Sequence, residues 1–510
     1  MRRSESLHPR RPFPLLVASV LLASWCGQGV ELHAAEATVD TPTPPCLRAG
    51  AATACITPPL GEPIVGGFHP FPADHIHDDL HARCLVLDDG SAKIALVVCD
   101  LLGIHRSVSD EARRLITEEV GIPAAQVLIA ATHTHSATTA LGGTGGERFQ
   151  PVLSELSAYQ TFVARRIADS VRCANNLLRP AELAVGTVDV PEHVFNRRWF
   201  MRPGSMPENP FGSAHDLVKM NPPRASPNLD RPAGPTDPTI SFLFLRQPAG
   251  SPIALMATYS LHYVGGVPQG HVSADYFGVV CDELARLVAA PATDPPFVAL
   301  LANGTSGDIN NINFREPATP RAAYEQMRGV AKDVAARIVA ASANLDFLTD
   351  VPLAAGYREL EVVARHPTPA ERAWAVATLP PPDMPAAAKT ISQIYAERVL
   401  ALAEQPPTVA APLQVVGIGP VRIGTMPCEI FCEIGLDFRR LSGGQPGFLI
   451  SLAHGYLGYL PTPRQHDLGG YETWPGTNRL EREASDRMLK AVLELSADVD
   501  TAIGSAAATE

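Results

Sequence analysis

The chain has 510 residues and carries 41 Lys and Arg against 53 Asp and Glu, which gives a formal net charge of −12 at pH 7. With 46% hydrophobic and 18% charged residues, it has enough apolar material for a large core, which excludes a peptide and a chain disordered throughout. No extended run of Lys or Arg occurs after residue 12. We therefore expect a globular protein with no nucleic-acid partner.

The first 37 residues predict a cleaved export signal. Several arginines near the start precede an apolar segment, Phe13–Trp25, and Ala35–Ala37 offers a cleavage site. The apolar segment is shorter than the roughly 20 residues that span a bilayer, which disfavours a membrane anchor. Cys26 leaves a lipoprotein as an alternative, although the bulky Trp25 before it argues against one. We expect a leader at 38–47, no later membrane span, and a periplasmic or secreted protein.

Beyond the leader, apolar runs of strand length alternate with helical patterns. Such alternation is typical of an α/β fold with a large, mostly parallel or mixed twisted sheet and helices on both faces. We interpret 48–498 as one continuous domain, 499–510 as a tail, and the Pro-rich stretches 186–238 and 366–388 as irregular. The predicted elements are strands at 93–102 and 127–132 around a helix at 107–120, a helix at 154–178, strands at 239–246 and 252–260, a helix at 274–289, strands at 297–302, 413–426 and 447–453, and a helix at 476–496.

The cysteines beyond the export signal are scattered, and none forms a Cys-x-x-Cys pair. This spacing argues against a thiolate zinc site. Cys99 and Cys281 lie in apolar segments and are expected to be buried thiols, while others could form disulfides after export. The full set is Cys46, Cys55, Cys84, Cys99, Cys173, Cys281, Cys428 and Cys432.

Polar side chains directly follow several predicted strands, and in an open α/β sheet ligands bind beyond the carboxyl ends of the strands. His133 and His135 follow one strand, His262 follows another, and Glu429 follows a third. Two imidazoles from separate strands and a carboxylate suit a Zn²⁺ ion that keeps one coordination position open for water. The sequence therefore predicts a catalytic type of metal site.

The His-x-His pair needs a bend in the backbone, because alternate residues of a straight strand point to opposite faces. The other interpretation is a polar strand end whose histidines cap a helix or a turn. Tyr456 and Tyr459, after the strand at 447–453, are further candidates for the site, with aromatic packing as their alternative.

A glycine-rich turn, Asn303–Asn310, follows the strand at 297–302. Such a turn can present backbone N–H groups to an oxyanion, or Asp308 and Asn310 can bond their own backbone. The sequence argues against a phosphate-binding loop, since the turn lacks a Gly-Lys-Ser/Thr ending and has no lysine nearby.

Together these motifs resemble the catalytic domain of the neutral ceramidase family, zinc amidases that cleave the N-acyl amide of ceramide. The resemblance covers residues 48–495, and the motifs keep the family's order. They are Thr-His-Thr-His-Ser at 132–136, Asn196-Arg197, His262 with Ser273-x-Asp275, Pro427-x-Glu429, Gly458-Tyr459 and Tyr471-Glu472.

The resemblance implies one zinc ion per chain. Its ligands would be His133, His262, Glu429 and Tyr459, with Tyr456 as the alternative to Tyr459. The ion would activate a water molecule for attack on the amide carbonyl.

The resemblance also implies the catalytic side chains. Tyr471 would donate to the oxyanion together with Arg197, for which Arg198 is the alternative. His135, close to the zinc but not bound to it, would carry a proton to the leaving amine.

Two departures from the family bear on the substrate. The family's Gly-Asp-Val-Ser-Pro-Asn segment is Gly307–Ile312 here, so Asn310 occupies the place of the family's serine, and we regard Asp308 and Asn310 as candidate catalytic residues. The chain is also expected to lack the family's C-terminal immunoglobulin-like domain. The expected substrate is lipid-like or another small N-acyl molecule, with ceramide, other amides and esters left open.

Two other functions fit parts of the pattern. A TIM-barrel metal amidohydrolase also places His-x-His after a strand, but it needs two metals and a bridging lysine, and Lys219 lies in an irregular stretch. A non-catalytic binding member of the ceramidase family is compatible with Asn310. We favour an exported zinc amidohydrolase, because a structural zinc site would not require an arginine and a second tyrosine beside it.

Overall fold

The computed structural model describes residues 47–138, 140–142, 149–289, 292–443 and 446–507. The predicted export signal, most of the predicted leader and Cys46 lie outside these residues. The α-helices of the described residues are α1 (Arg106–Val120), α2 (Ala158–Asn176), α3 (Asp275–Val288), α4 (Glu325–Ser342), α5 (Pro369–Thr378), α6 (Ile391–Ala403), α7 (Cys432–Leu441), α8 (Pro463–Leu468) and α9 (Ala484–Ala507).

The strands vary in length from two to eleven residues, and the long ones build the main sheets. In chain order the strands are β1 (Arg48–Cys55), β2 (Pro63–Ile64), β3 (Phe71–Pro72), β4 (His75–Ile76), β5 (His81–Asp88), β6 (Lys93–Cys99), β7 (Val127–Ala131), β8 (Arg179–Pro180), β9 (Glu182–Asp189), β10 (Phe195–Asn196), β11 (Arg198–Met201), β12 (Val218–Met220), β13 (Leu229–Pro232), β14 (Thr239–Arg246), β15 (Pro252–Tyr259), β16 (His271–Val272), β17 (Val298–Asn303), β18 (Ile309–Asn310), β19 (Leu353–Val363), β20 (Thr408–Ile418), β21 (Val421–Thr425), β22 (Glu429–Ile430), β23 (Gly447–Ile450) and β24 (Tyr459–Leu460).

Three sheets carry the long strands. Their strand orders are β7-β6-β5-β1-β8, β17-β15-β14-β9 and β19-β20-β21-β23, called here the first, second and third sheet. Antiparallel neighbours predominate, but each sheet has one parallel pair at an edge: β6 with β7, β15 with β17, and β21 with β23. The α/β class with mixed sheets is confirmed, although the one large sheet expected from the sequence is divided into three.

The sheets pack as layers with helices outside them. Along β6, Ala95 and Val97 face a cluster shared with α1 and α2, whereas Ile94 and Leu96 face a cluster shared with the second and third sheets. The other face of the second sheet packs on α3 and α4, and that of the third sheet packs on α7 and α9. The described strands form no closed barrel, which excludes the TIM-barrel alternative.

The carboxyl ends of the three parallel strand pairs lie close together. Asn303, the last residue of β17, donates its side-chain amide to Thr132 O at 3.1 Å, just after β7. The Asn303 carbonyl accepts the N–H of Ser451, just after β23, at 3.0 Å. These bonds hold the ends of the three sheets together, so the segments that follow β7, β15 and β21 enter a common region.

Some predicted boundaries differ from the structure. The strand predicted at 413–426 is the hairpin of β20 and β21. The final helix begins at Ala484 rather than near 476, and it continues through Ala507 into the predicted tail. It begins late because Gly476 has a φ of 90° in a turn outside any helix. This turn lines the site described below.

In the part of the chain that the structure describes, no helix combines the length and apolar character needed to cross a membrane. The described cysteines are free thiols, and Cys99 and Cys281 are buried as predicted. Burial raises the pKa of both thiols, that of Cys281 to about 12, so neither is a reactive thiolate.

Candidate metal centre and its cavity

A backbone bend brings both histidines of the His-x-His pair into one site. His133 has a φ of 75°, a left-handed conformation that is uncommon for a residue with a side chain. Its Nδ1 lies 2.7 Å from Leu102 O, so Nδ1 carries the proton and Nε2 the lone pair. His135 Nε2 lies 3.2 Å from His133 Nε2, with the two rings nearly perpendicular.

His262 enters the site from the second sheet, after β15. Its Nδ1 lies 3.1 Å from Ser306 O, which leaves Nε2 with a lone pair that faces the other histidines. The segment beyond it is fixed by Asp275, whose carboxylate accepts the backbone N–H groups of Val264 and Gly265. Asp275 therefore positions the loop that follows His262.

Glu429 enters the site from the segment that follows β21 of the third sheet, in the short strand β22, where it is paired with Tyr459 of β24 in parallel register. Its Oε2 lies 3.3 Å from His133 Nε2 and 3.9 Å from His262 Nε2. Tyr456 donates its hydroxyl to the other oxygen, Oε1, at 2.8 Å. The carboxylate is therefore fixed with Oε2 towards the histidines.

These donor atoms fit a cation that takes nitrogen and oxygen ligands. His262 Nε2 and Glu429 Oε2 are buried without a hydrogen-bond partner among the described residues, which is unfavourable unless a further group satisfies them. The nitrogen donors of His133, His135 and His262 lie within 4.8 Å of one another. Burial, together with the positive charge of the nearby Arg197, holds the pKa of His135 and His262 well below its usual value. Both rings are therefore neutral, the form that binds a metal.

Glu429 is ionised despite its burial. Burial alone raises the pKa of a carboxyl group, but the polar side chains of His133 and Tyr459 and the positive charge of Arg197 outweigh it, and the pKa lies below its usual value. A carboxylate beside neutral imidazoles is the charge arrangement expected of a metal ligand set.

Of the two neighbouring arginines, only Arg197 lines the cavity. Its Nε donates to Glu472 Oε1 at 2.9 Å, and its Nη2 is buried without a hydrogen-bond partner among the described residues. Arg198 donates to Glu472 Oε2 at 2.6 Å and to the carbonyls of Gln465 and Gly469. Arg198 is therefore a structural guanidinium, and Glu472 holds both arginines.

Tyr459 and Tyr471 extend the site beyond Glu429. Their ring centres lie 5.7 Å apart, and Phe68 packs edge-on against Tyr471 at 6.0 Å. Burial raises the pKa of both tyrosine hydroxyls, so both are protonated at neutral pH and able to donate a hydrogen bond.

The structure separates Asp308 from Asn310. The Asp308 carboxylate accepts hydrogen bonds from Asn196 Nδ2 at 2.7 Å and from the Cys432 N–H at 2.8 Å, so it joins β10 to the start of α7. It does not line the cavity, and burial raises its pKa to about 6. Asn310 does line the cavity, and its Nδ2 donates to Asn221 Oδ1 at 3.1 Å.

The cavity has a volume of about 280 Å³ and brings together His133, His135, His262, Glu429, Arg197, Tyr459, Tyr471 and Asn310. Part of its wall is apolar, formed by Val65, Leu102 and Leu141. Sequence reasoning missed Tyr263, which stacks on His135 with ring centres 3.7 Å apart, although its position next to His262 could have suggested it. It also missed Arg398, which α6 brings to the cavity from a distant part of the chain.

No family model matches the chain. Its fold is similar to a solved neutral ceramidase from Pseudomonas aeruginosa, with 18% identity, a TM-score of 0.63, and coverage of 88% of this chain and 74% of that chain. It is also similar to a ceramidase solved in complex with C2, with 16% identity, a TM-score of 0.64, and coverage of 90% and 76%. The fold predicted from the ceramidase resemblance is therefore confirmed.

Proposed function

We propose that this protein is an exported, zinc-dependent amidohydrolase that cleaves an N-acyl amide in this cavity. One observation carries the proposal: His133, His262 and Glu429 follow strands of three different sheets, and Glu429 Oε2 lies 3.3 Å from His133 Nε2 and 3.9 Å from His262 Nε2. The fold shared with two proteins described as ceramidases supports an amide of a lipid as the substrate.

His133, His262, Glu429 and Tyr459 would hold one zinc ion. Zinc accepts this mixture of imidazole and oxygen ligands, and a bound zinc ion supplies Lewis acidity and lowers the pKa of water from 15.7 to about 7. His135 is the rival to Tyr459 as fourth ligand, because its Nε2 lies 3.2 Å from that of His133.

The remaining side chains act on the substrate. Arg197 Nη2 and the Tyr471 hydroxyl are donors for the carbonyl oxygen as negative charge develops on it. His135 is neutral and stacked on Tyr263, so it is able to accept a proton and deliver it to the leaving amine. Asn310, in the position of the family's serine, is the candidate for binding a polar group of the substrate.

Asp308 is proposed to position these groups rather than to touch the substrate. Its carboxylate accepts from Asn196, whose neighbour Arg197 lines the cavity, and from the first residue of α7. The apolar wall at Val65, Leu102 and Leu141 would receive the acyl chain.

The test combines metal analysis with hydrolysis of a panel of N-acyl amides and matched esters. We expect one zinc per chain and amidase activity in the wild type, and loss of both in His133→Ala and Glu429→Ala. His215→Ala, at an exposed histidine, is the control and should change neither. Activity retained in the two site variants contradicts the proposal.

The second candidate is a non-catalytic binding protein of the same fold. It is favoured by the presence of Asn310, whose side-chain amide replaces the serine hydroxyl of the ceramidase family. It predicts stoichiometric zinc and N-acyl ligand binding with no turnover of any amide or ester in the panel, and this outcome separates the two functions.

A further inference from the structure

Arg398 is a cavity-lining cation that the proposed reaction does not use. It lies on α6, and its guanidinium carbon is 5.2 Å from the ring centres of both Phe68 and Tyr395. Among the described residues, no carboxylate lies within 4.0 Å of its nitrogen atoms, and no hydrogen bond occupies them. A guanidinium held in a cavity with its donors available is a ready partner for an anion.

Two contacts fix this arginine in place. The α6 backbone runs so close to Gly476 that a Cβ on that glycine would lie 2.6 Å from Arg398 Cβ. One turn earlier in α6, the Tyr395 hydroxyl and Thr477 Oγ1 are 2.6 Å apart in a hydrogen bond. Because Gly476 and Thr477 themselves line the cavity, α6 is joined directly to the cavity wall and Arg398 is held beside it.

One positive charge of the cavity lining, that of Arg398, has no carboxylate partner among the described residues. Glu429 is the one carboxylate among the described lining residues, whereas Arg197 and Arg398 are both cations. Glu472 beneath the wall pairs with Arg197. Ionised Glu429 faces the histidines and does not pair with Arg398. The positive charge of Arg398 is therefore available to bind an anionic group of a ligand. An uncharged lipid amide would leave that charge uncompensated in a partly buried place.

We infer that the cavity selects an N-acyl amide whose amine portion carries an anionic oxygen group, and that Arg398 binds this group. The inference rests on the proposed function and names its substrate class. Phe68 contacts both Arg398 and Tyr471, so an anion at Arg398 lies close to a carbonyl at Tyr471. A short linker, as in an N-acyl amino acid, satisfies this spacing, while the acyl chain lies on the apolar wall.

The reaction is an ordinary hydrolysis. Water adds to the acyl carbon, the C–N bond breaks, and the nitrogen takes up protons to leave as an ammonium group. The products are a fatty carboxylate and a free amino acid, or an aminosulfonate if the anion is a sulfonate. No oxidant or second substrate is required.

The test compares N-octanoylglycine, N-octanoyltaurine and the neutral N-octanoylglycinamide with the zinc-loaded protein. We expect kcat/KM of the wild type to favour one of the anionic amides over the glycinamide by about tenfold or more, the size of one charge-assisted hydrogen bond. In Arg398→Gln this ratio should fall towards one, and Arg398→Lys should restore part of it. Arg372→Gln, at an exposed arginine of the neighbouring α5, should keep the wild-type ratio.

Binding to the metal-free protein is measured by calorimetry, independently of turnover. Weaker binding of the anionic amide by Arg398→Gln, with binding by Arg372→Gln unchanged, supports the inference even if no amide is hydrolysed. Absence of hydrolysis would then contradict the proposed function and leave the inference standing. Equal affinity of the wild type for anionic and neutral amides, or an equal loss in both arginine variants, overturns the inference.

Discussion

Tyr456 donates its hydroxyl to Glu429 Oε1 at 2.8 Å, and the opposite carboxylate oxygen lies 3.3 Å from His133 Nε2. The tyrosine thereby fixes which oxygen faces the histidines. Groups that orient a metal ligand in this way typically change metal affinity by about 10- to 100-fold when they are removed. The position of Tyr456 therefore makes it a positioning residue for Glu429.

We expect Tyr456→Phe to weaken zinc affinity by about 10- to 100-fold, measured by competition with a chelator of known affinity. The control is Tyr357→Phe, since the Tyr357 hydroxyl bonds Glu359 away from the cavity. An unchanged affinity in Tyr456→Phe would show that Glu429 keeps its orientation without this bond.

The fourth ligand can be decided by comparing Tyr459→Phe with His135→Gln. If Tyr459 is the ligand, Tyr459→Phe should lose stoichiometric zinc, whereas His135→Gln should retain zinc and lose turnover. Metal content is measured on protein purified at low free zinc. The reverse pattern, with zinc lost in His135→Gln and kept in Tyr459→Phe, assigns the ligand position to His135.

Arg197 is expected to act on the reaction rather than on zinc binding. Removal of an oxyanion donor usually lowers kcat by about 10²- to 10³-fold. We therefore expect Arg197→Met to show such a loss in kcat with the zinc content of the wild type. The control is Arg231→Met, at an exposed arginine. A rise in KM with kcat unchanged would mean that Arg197 stabilises the ground state and the transition state equally.

Glu472 should matter mainly for stability, because it is the buried counterion of both Arg197 and Arg198. Glu472→Gln leaves two buried guanidinium groups without a negative charge, and breaking a buried ion pair costs about 3–5 kcal/mol. We expect a loss of this size in the free energy of unfolding by urea. Glu404→Gln, at an exposed pair with Arg372, should change it by less than about 0.5 kcal/mol.

His466 should make the protein less stable in acid. Burial, with the nearby charges of Arg365 and Arg482, lowers its pKa from 6.5 to about 4. The unfolded chain therefore binds more protons between these pH values, and stability falls as the pH drops through that window. We expect His466→Gln to show a smaller fall in the free energy of unfolding across it. The same fall in His466→Gln and in the wild type refutes this contribution, and exposed His215→Gln serves as control.

The sequence predicted the strands near the site well but not their arrangement. A run such as Ile94 to Val98 is apolar on both faces, which favours a parallel sheet between two helical layers. Here the same pattern arises because one face meets helices and the other meets a second sheet. An apolar run of this kind predicts that both faces of the strand are buried, but it does not predict whether helices or a second sheet cover each face.

The candidate site was largely predictable because its residues follow strands. The bend that brings His133 and His135 together was expected, but its place was not, since it is a left-handed backbone conformation at His133 that no glycine marks. Arg398 was also beyond prediction, because it sits inside an Ala-rich helix and reaches the cavity through the packing of α6 on Gly476. Local signals cannot reveal a contact made between distant segments.

His133, His262 and Glu429 each follow a strand of a different sheet, and Asn303 joins the same three sheets beside them. A cation bound where these three sheets meet would crosslink them without a covalent bond. Its uptake would then be coupled to the final docking of the sheets, and the apoprotein would unfold with lower cooperativity than the holoprotein. Removal of the cation by a chelator would thus lower the stability of the whole fold as well as abolish the activity of the site.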